Sequence, residues 1–93
     1  MSDEYHERNL TDEAKDYHRA VKSLIEELEA VDWYNQRVEA AKDDELREVL
    51  AHNRDEEKEH AAMLLEWLRR RDEPLSHELK DFLFSKERIT ELE

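Results

Sequence analysis

The near absence of helix-breaking residues is the feature that most limits the fold of this chain. Its 93 residues include no glycine and a single proline, Pro74. So few turn-forming residues favour long helices joined by short connections. The apolar spacing predicts a first helix from about residue 11 to Ala41, capped by Thr11 or Asn9. It predicts a second helix from about residue 43 or 44 to Arg71.

The second helix is expected to stop at Asp72-Glu73-Pro74. Ser76 is predicted to cap a short third helix over residues 77–84, with Leu79, Phe82 and Leu83 on its apolar face. The chain therefore divides into a flexible N-terminus (1–10), a helical hairpin domain with the short third helix (11–84) and a C-terminal tail (85–93).

Composition narrows the classes of partner. The net charge is −12, which disfavours nucleic acid and anionic membranes as partners because both select basic surfaces. No apolar run approaches the length of a membrane span, and the N-terminus lacks the pattern of a signal peptide. The absence of cysteine excludes disulfides and thiolate metal ligands.

The two long helices are predicted to form an antiparallel hairpin. Each has roughly 28–30 residues and a length of about 40–45 Å, and the loop between them is only a few residues long. A hairpin cannot bury both apolar stripes by itself, so a second hairpin is expected to complete a four-helix arrangement. The predicted fold class is therefore all-α, with two protomers completing a four-helix bundle.

Polar residues interrupt the apolar stripes at one height. In the second helix, Asn53, Glu57 and His60 lie between apolar ends, and Glu57 and His60 are three residues apart on one face. In the first helix, Glu27 occupies the stripe about 15 residues before the loop, and Glu57 follows the loop by about 15 residues. The hairpin is thus predicted to place two carboxylates and one imidazole at the same level.

Buried carboxylates need compensation, and no lysine or arginine lies on either stripe near that level. A metal cation would supply the charge. Carboxylate and imidazole ligands without sulfur favour iron, manganese or zinc. His52, Glu56 and Glu59 flank this stripe as supporting or transient ligands. The alternative is a polar layer that only sets the register of the helices.

One chain carries half of the ligand set used in di-iron bundles, which take a glutamate from each of two helices and Glu-x-x-His from each of the other two. A two-fold dimer would supply both copies of Glu27, Glu57 and His60. Such a centre suits oxidation of Fe(II) by dioxygen. Tyr34, on the Glu27 stripe, is either near the oxidant or an ordinary core residue with a satisfied hydroxyl.

A second stripe on the first helix combines Glu26, Glu29 and Trp33 at i, i+3 and i+7. A large aromatic residue away from the core stripe indicates another interface, so we expect an oligomer larger than a dimer. The two glutamates are either a weaker cation site on a route inward or a solvated face.

Two long segments resemble the signature helices of the encapsulated ferritin family: "EELEAVDWYNQRV" (Glu26–Val38) and "LAHNRDEEKEHAAMLLEWLRR" (Leu50–Arg70). The resemblance covers about residues 17–84. It implies a two-helix protomer with a short third helix, and a decameric ring of five dimers. The chain ends in "ITELE", without the apolar, glycine-containing and basic targeting tail of that family, so the link to an encapsulin shell rests on the resemblance alone.

The resemblance also implies the roles of individual residues and the cellular setting. The ferroxidase ligands correspond to Glu27, Glu57 and His60, and the tyrosine beside the di-iron centre to Tyr34. The outer metal site corresponds to Glu26, Glu29 and Trp33. The expected cofactor is iron as a di-iron centre, with Ca, Mn or Zn as alternatives at the same or outer sites. The expected location is the cytoplasm, inside an encapsulin nanocompartment.

The leading hypothesis is a ferroxidase that oxidises Fe(II) with dioxygen and supplies iron for storage in the shell. The alternative is a non-catalytic module that binds or delivers iron or another divalent metal through the same ligands. A purely structural helical assembly is the third possibility.

Overall fold

A computed structural model describes residues 5–93. The helices are α1 (Asp12–Ala40), α2 (Asp44–Arg71) and α3 (Glu73–Phe82), followed by one 3₁₀ turn (Ile89–Leu92). Residues 5–93 contain no strand. The predicted all-α class is confirmed, with two long antiparallel helices and a short third one. Among these helices, none is long and apolar enough to cross a bilayer.

The caps explain where the long helices begin. The Thr11 hydroxyl accepts a hydrogen bond from the Ala14 amide at 3.1 Å, and the Asp43 carboxylate accepts one from the Leu46 amide at 2.8 Å. Each cap satisfies an amide of the first turn that has no partner within the helix. Only three residues, 41–43, separate α1 from α2. A connection this short leaves the two helices as antiparallel neighbours.

The third helix begins earlier than the sequence predicted. Asp72, not Ser76, caps it, and the Asp72 carboxylate accepts a hydrogen bond from the Leu75 amide at 3.0 Å. Pro74 lies inside the first turn, where its missing N–H costs nothing. The Ser76 hydroxyl instead pairs with the Arg69 guanidinium at 3.0 Å. The helix also ends at Phe82 rather than at residue 84.

Asp72 also holds the open end of the hairpin together. The Tyr17 hydroxyl of α1 donates a hydrogen bond to the second oxygen of the Asp72 carboxylate. This bond raises the pKa of Tyr17 and, together with the Leu75 amide, lowers the pKa of Asp72. One carboxylate therefore ties the start of α1 to the corner between α2 and α3.

The N-terminal segment was predicted to be flexible, and residues 1–4 of it lie outside the described residues. Tyr5 packs its ring against that of His18 on α1, with 5.0 Å between ring centroids. The Lys15 ammonium lies 5.9 Å from the centre of the Tyr5 ring. The flexibility of residues 5–10 stays a prediction, but Tyr5 has defined neighbours.

The hydrophobic core of a single chain is thin. Within residues 5–93, the buried apolar side chains are Ala20, Ala61 and Leu68, and no large side chain is fully buried. Large apolar side chains remain exposed along both long helices, among them Ile25, Leu28 and Val49. A hairpin with so little buried apolar area lacks most of the stabilisation that a domain of this size needs.

Candidate metal centre

Three metal-binding side chains converge near the middle of the hairpin. Glu57 and His60 lie three residues apart in α2, which places both on one face of the helix, and α1 brings Glu27 opposite them. One ligand atom from each residue lies within 4.8 Å of the other two. His60 Nδ1 is 3.5 Å from Glu57 Oε2 and 3.6 Å from Glu27 Oε2.

These side chains are only partly withdrawn from solvent. Glu27, Glu57 and His60 have exposed side-chain fractions of 25%, 24% and 40%. Glu27 Oε2 is itself buried, and no donor within residues 5–93 makes a hydrogen bond to it. A buried carboxylate oxygen without a donor is costly, because nothing replaces the water that it has lost.

The close approach of the two carboxylates changes the pKa of Glu27. A hydrogen bond to Glu57, which forms when one carboxyl holds a proton, raises the pKa of Glu27 above its usual range. Desolvation and the negative charge of Glu57 act in the same direction, while His60 opposes them. The pKa is raised because the metal-free site brings two carboxylates together without a cation between them.

No lysine or arginine within residues 5–93 forms an ion pair with Glu27 or Glu57; their one ionic neighbour is His60. Two carboxylates and an imidazole form a ligand set that suits iron, manganese or zinc. Three protein ligands leave any metal with coordination positions to fill. The geometry therefore fits a metal centre that one chain leaves incomplete.

A second groove lies along α1, and it contains the predicted outer-site residues. Its lining includes Glu26, Glu29, Trp33 and Tyr34. Trp33 has 56% of its surface exposed, in agreement with its place off the core stripe. Tyr34 forms no hydrogen bond with the three-residue cluster in the described part of the chain, so its role beside an oxidant stays a prediction.

Arg37 is a member of this groove that the sequence reasoning missed. Its guanidinium carbon lies 5.3 Å from the centre of the Tyr34 ring and 6.0 Å from the Trp33 ring. These distances are typical of cation–π contacts. The signal was present in the sequence, because Arg37 follows Tyr34 by three residues and Trp33 by four.

The flanking residues of α2 do not join the cluster. His52 Nε2 pairs with Glu56 Oε1 at 3.1 Å, and both side chains are exposed. Glu59 is exposed as well. A supporting role for these residues stays a prediction, and the three ligands that the structure brings together remain Glu27, Glu57 and His60.

Comparisons with known proteins place this geometry in context. The model of the EncFtn-like family matches residues 3–86. An "Encapsulated ferritin-like protein" of Rhodospirillum rubrum is 58% identical over 84 residues, which are 90% of this chain and 60% of that protein. This chain thus spans less than two thirds of the length of the Rhodospirillum relative. A "Ferritin-like protein" of Thermotoga maritima is 54% identical over 95 residues, covering 100% of this chain and 83% of the relative.

A solved structure shares the fold. The crystal structure of a protein from Nitrosomonas europaea superimposes with a TM-score of 0.90 at 64% sequence identity. The match covers 94% of this chain and 98% of that one.

Proposed function

Because the chain belongs to the EncFtn-like family, we propose that it is a ferroxidase that oxidises Fe(II) with dioxygen at a centre shared by two protomers. The observation that carries this proposal is the convergence of Glu27, Glu57 and His60 without a basic partner in residues 5–93. Carboxylate-rich sites with one imidazole bind ferrous ions and stabilise the higher charge of ferric ions.

The shared centre follows from what a single chain lacks. Each hairpin offers one Glu27 and one Glu57–His60 pair, whereas a pair of iron ions in a carboxylate bundle needs two of each. Pairing two hairpins about a two-fold axis supplies the second set. The thin core supports the same arrangement, since the exposed apolar residues of α1 and α2 would be covered in the dimer.

The reaction proposed for this centre is a two-electron reduction of dioxygen. Two Fe(II) ions, one dioxygen molecule and two protons give two Fe(III) ions and one hydrogen peroxide. Glu27 contributes its carboxylate as a ligand for the metal. The paired ions share the charge that develops on oxygen.

The groove beside Trp33 supports an outer site on the route inward. Glu26 and Glu29 lie one turn apart and both line the groove, so a divalent ion, iron or Ca, Mn or Zn, can be held there weakly before it moves inward. Trp33 is also the proposed contact between dimers in a larger ring of ten protomers.

The proposed setting is an encapsulin shell in the cytoplasm, with storage of the oxidised iron inside it. The Rhodospirillum relative is named as an encapsulated protein, and this chain is 58% identical to it over 84 residues. The partner in this proposal is therefore the shell protein, together with other copies of the chain.

An aerobic iron-oxidation assay tests the activity. Glu27→Ala, Glu57→Ala and His60→Ala are each expected to slow the oxidation of Fe(II) strongly, because each removes a ligand from both halves of the centre. Glu48→Ala is the matched control, since it removes an exposed carboxylate from the same helix. The site assignment is wrong if all three ligand variants oxidise iron at the wild-type rate.

The same protein samples distinguish the ferroxidase from the two alternative functions. A binding or delivery module would take up Fe(II) through these three residues and oxidise it no faster than iron in buffer. A structural assembly would form unchanged dimers and rings without metal, and the ligand variants would bind as much iron as the wild type.

A further inference from the structure

We propose that Met63 is oxidised to methionine sulfoxide by the hydrogen peroxide formed at the Glu27–Glu57–His60 centre. The inference rests on the proposed function, because that reaction supplies the peroxide. It assigns a modification site to a side chain with no part in binding the metal.

The position of Met63 carries the proposal. It follows His60 by three residues in α2, so the two side chains share one face of the helix. Met63, His60 and Glu27 line the same open groove, which has a volume of about 720 Å³. Met63 has 59% of its surface exposed. A thioether therefore lies beside the metal ligands, in the groove where the proposed reaction takes place.

The rest of the chain offers little competition for an oxidant. The sequence has no cysteine and two methionines, and the other one, Met1, lies outside the described residues. Within residues 5–93, the Met63 thioether is the one sulfur atom. Thioethers are among the side chains that peroxide oxidises most readily.

The chemistry balances without a further reagent. The sulfur gives two electrons to peroxide, its lone pair forms the S–O bond, and the O–O bond breaks. The products are one sulfoxide and one water molecule. The thioether is thereby converted into a polar group beside the metal ligands.

Location decides how often each thioether meets peroxide. Peroxide made at the centre is uncharged and forms beside Met63 before it is diluted in solvent, so Met63 meets it at a higher local concentration than a distant side chain does. Peroxide added to the solution has no such origin and reaches every exposed thioether alike.

A second methionine in the same chain tests this reasoning. Leu83 is a suitable position because it has 46% of its surface exposed and lines the groove between α2 and α3, away from the metal ligands. Leucine to methionine is a conservative change of shape. The Leu83→Met protein is supplied with Fe(II) in air with catalase, and sulfoxide is measured at both positions by peptide mass spectrometry.

During iron oxidation, sulfoxide at Met63 is expected to exceed that at position 83 at least about fivefold, whereas peroxide added without iron oxidises both positions within about twofold. In a chain carrying both Met63→Leu and Leu83→Met, sulfoxide at position 83 stays at its low level. Equal oxidation of the two positions during turnover overturns the proposal and leaves the ferroxidase function intact. A wild-type protein that oxidises no iron overturns both.

Discussion

Replacing Glu57 with glutamine is expected to stabilise the metal-free protein and to remove most of the stabilisation that a divalent metal provides. The substitution keeps the size of the side chain but removes one of two negative charges that meet at the centre. In the absence of metal, Glu27 then loses the neighbour that raises its pKa. With metal present, the variant lacks a charged ligand in each protomer.

The separation of the ligand atoms sets the magnitude of the first effect. At the 4.8 Å limit for these atoms, the repulsion of two unit charges is about 1 kcal/mol in water and about 3.5 kcal/mol at the lower effective dielectric of a protein surface. Both carboxylates are about one quarter exposed, so water screens part of the repulsion. We therefore expect a gain of about 1 kcal/mol, or roughly 4–8 °C in Tm.

The second effect is larger and has the opposite sign. A metal at about 100 times its Kd stabilises the folded state by about 2.7 kcal/mol, which raises the Tm of a domain of this size by roughly 10–20 °C. The wild-type protein should therefore be the less stable of the two without metal and the more stable with it.

Thermal unfolding followed by circular dichroism at pH 7 checks this reversal. The redox-inert ion Zn(II) replaces iron, and the protein concentration is held constant because dimerisation shifts the Tm. Glu48→Gln is the matched control, since it makes the same change of charge at an exposed position nine residues earlier in the same helix. The reasoning is refuted if Glu57→Gln keeps the wild-type shift with zinc, or if Glu48→Gln loses as much of it.

Three further predictions concern pH, the helix corner and the outer stripe. The folded-state pKa of Glu27 is raised, so its contribution to stability is greatest below the ordinary carboxyl pKa and is lost as the pH rises through the raised value. The unfolding free energy of the metal-free wild type, relative to that of Glu27→Gln, should therefore decrease as the pH rises. A pH-independent difference would contradict this reasoning. Asp72→Asn weakens both the cap of α3 and the bond to α1, so chemical denaturation should show a loss of about 1 kcal/mol, whereas the exposed Asp81→Asn should lose much less. Trp33→Ala should reduce rings more than dimers in sedimentation velocity, and equal loss of both would argue against a separate interface.

Much of the architecture could be predicted from local pattern. The lack of glycine, the single proline and the Thr11 and Asp43 caps determined two long helices, and the three-residue connection determined that they run antiparallel. The pairing of Glu57 with His60 follows from helical spacing alone. Their meeting with Glu27 was predicted by counting residues from the loop, because both helices rise at the same rate along the hairpin.

Details that depend on contacts between elements could not be obtained in this way. Ser76 looked like the cap of α3 from its position, yet the structure assigns that role to Asp72 and gives Ser76 to Arg69. Asp72 was expected only to end α2, and its bond to Tyr17, 55 positions away, is a contact that local sequence does not show.

The sequence by itself determined the helices, their direction and which polar residues share a face, because these depend on spacing and on the few residues near each helix end. Only the tertiary structure decided how close the carboxylates come, how much water still reaches them and which oxygen lacks a donor. Those quantities depend on the distance and rotation between two packed helices, and side chains far apart in the sequence set both.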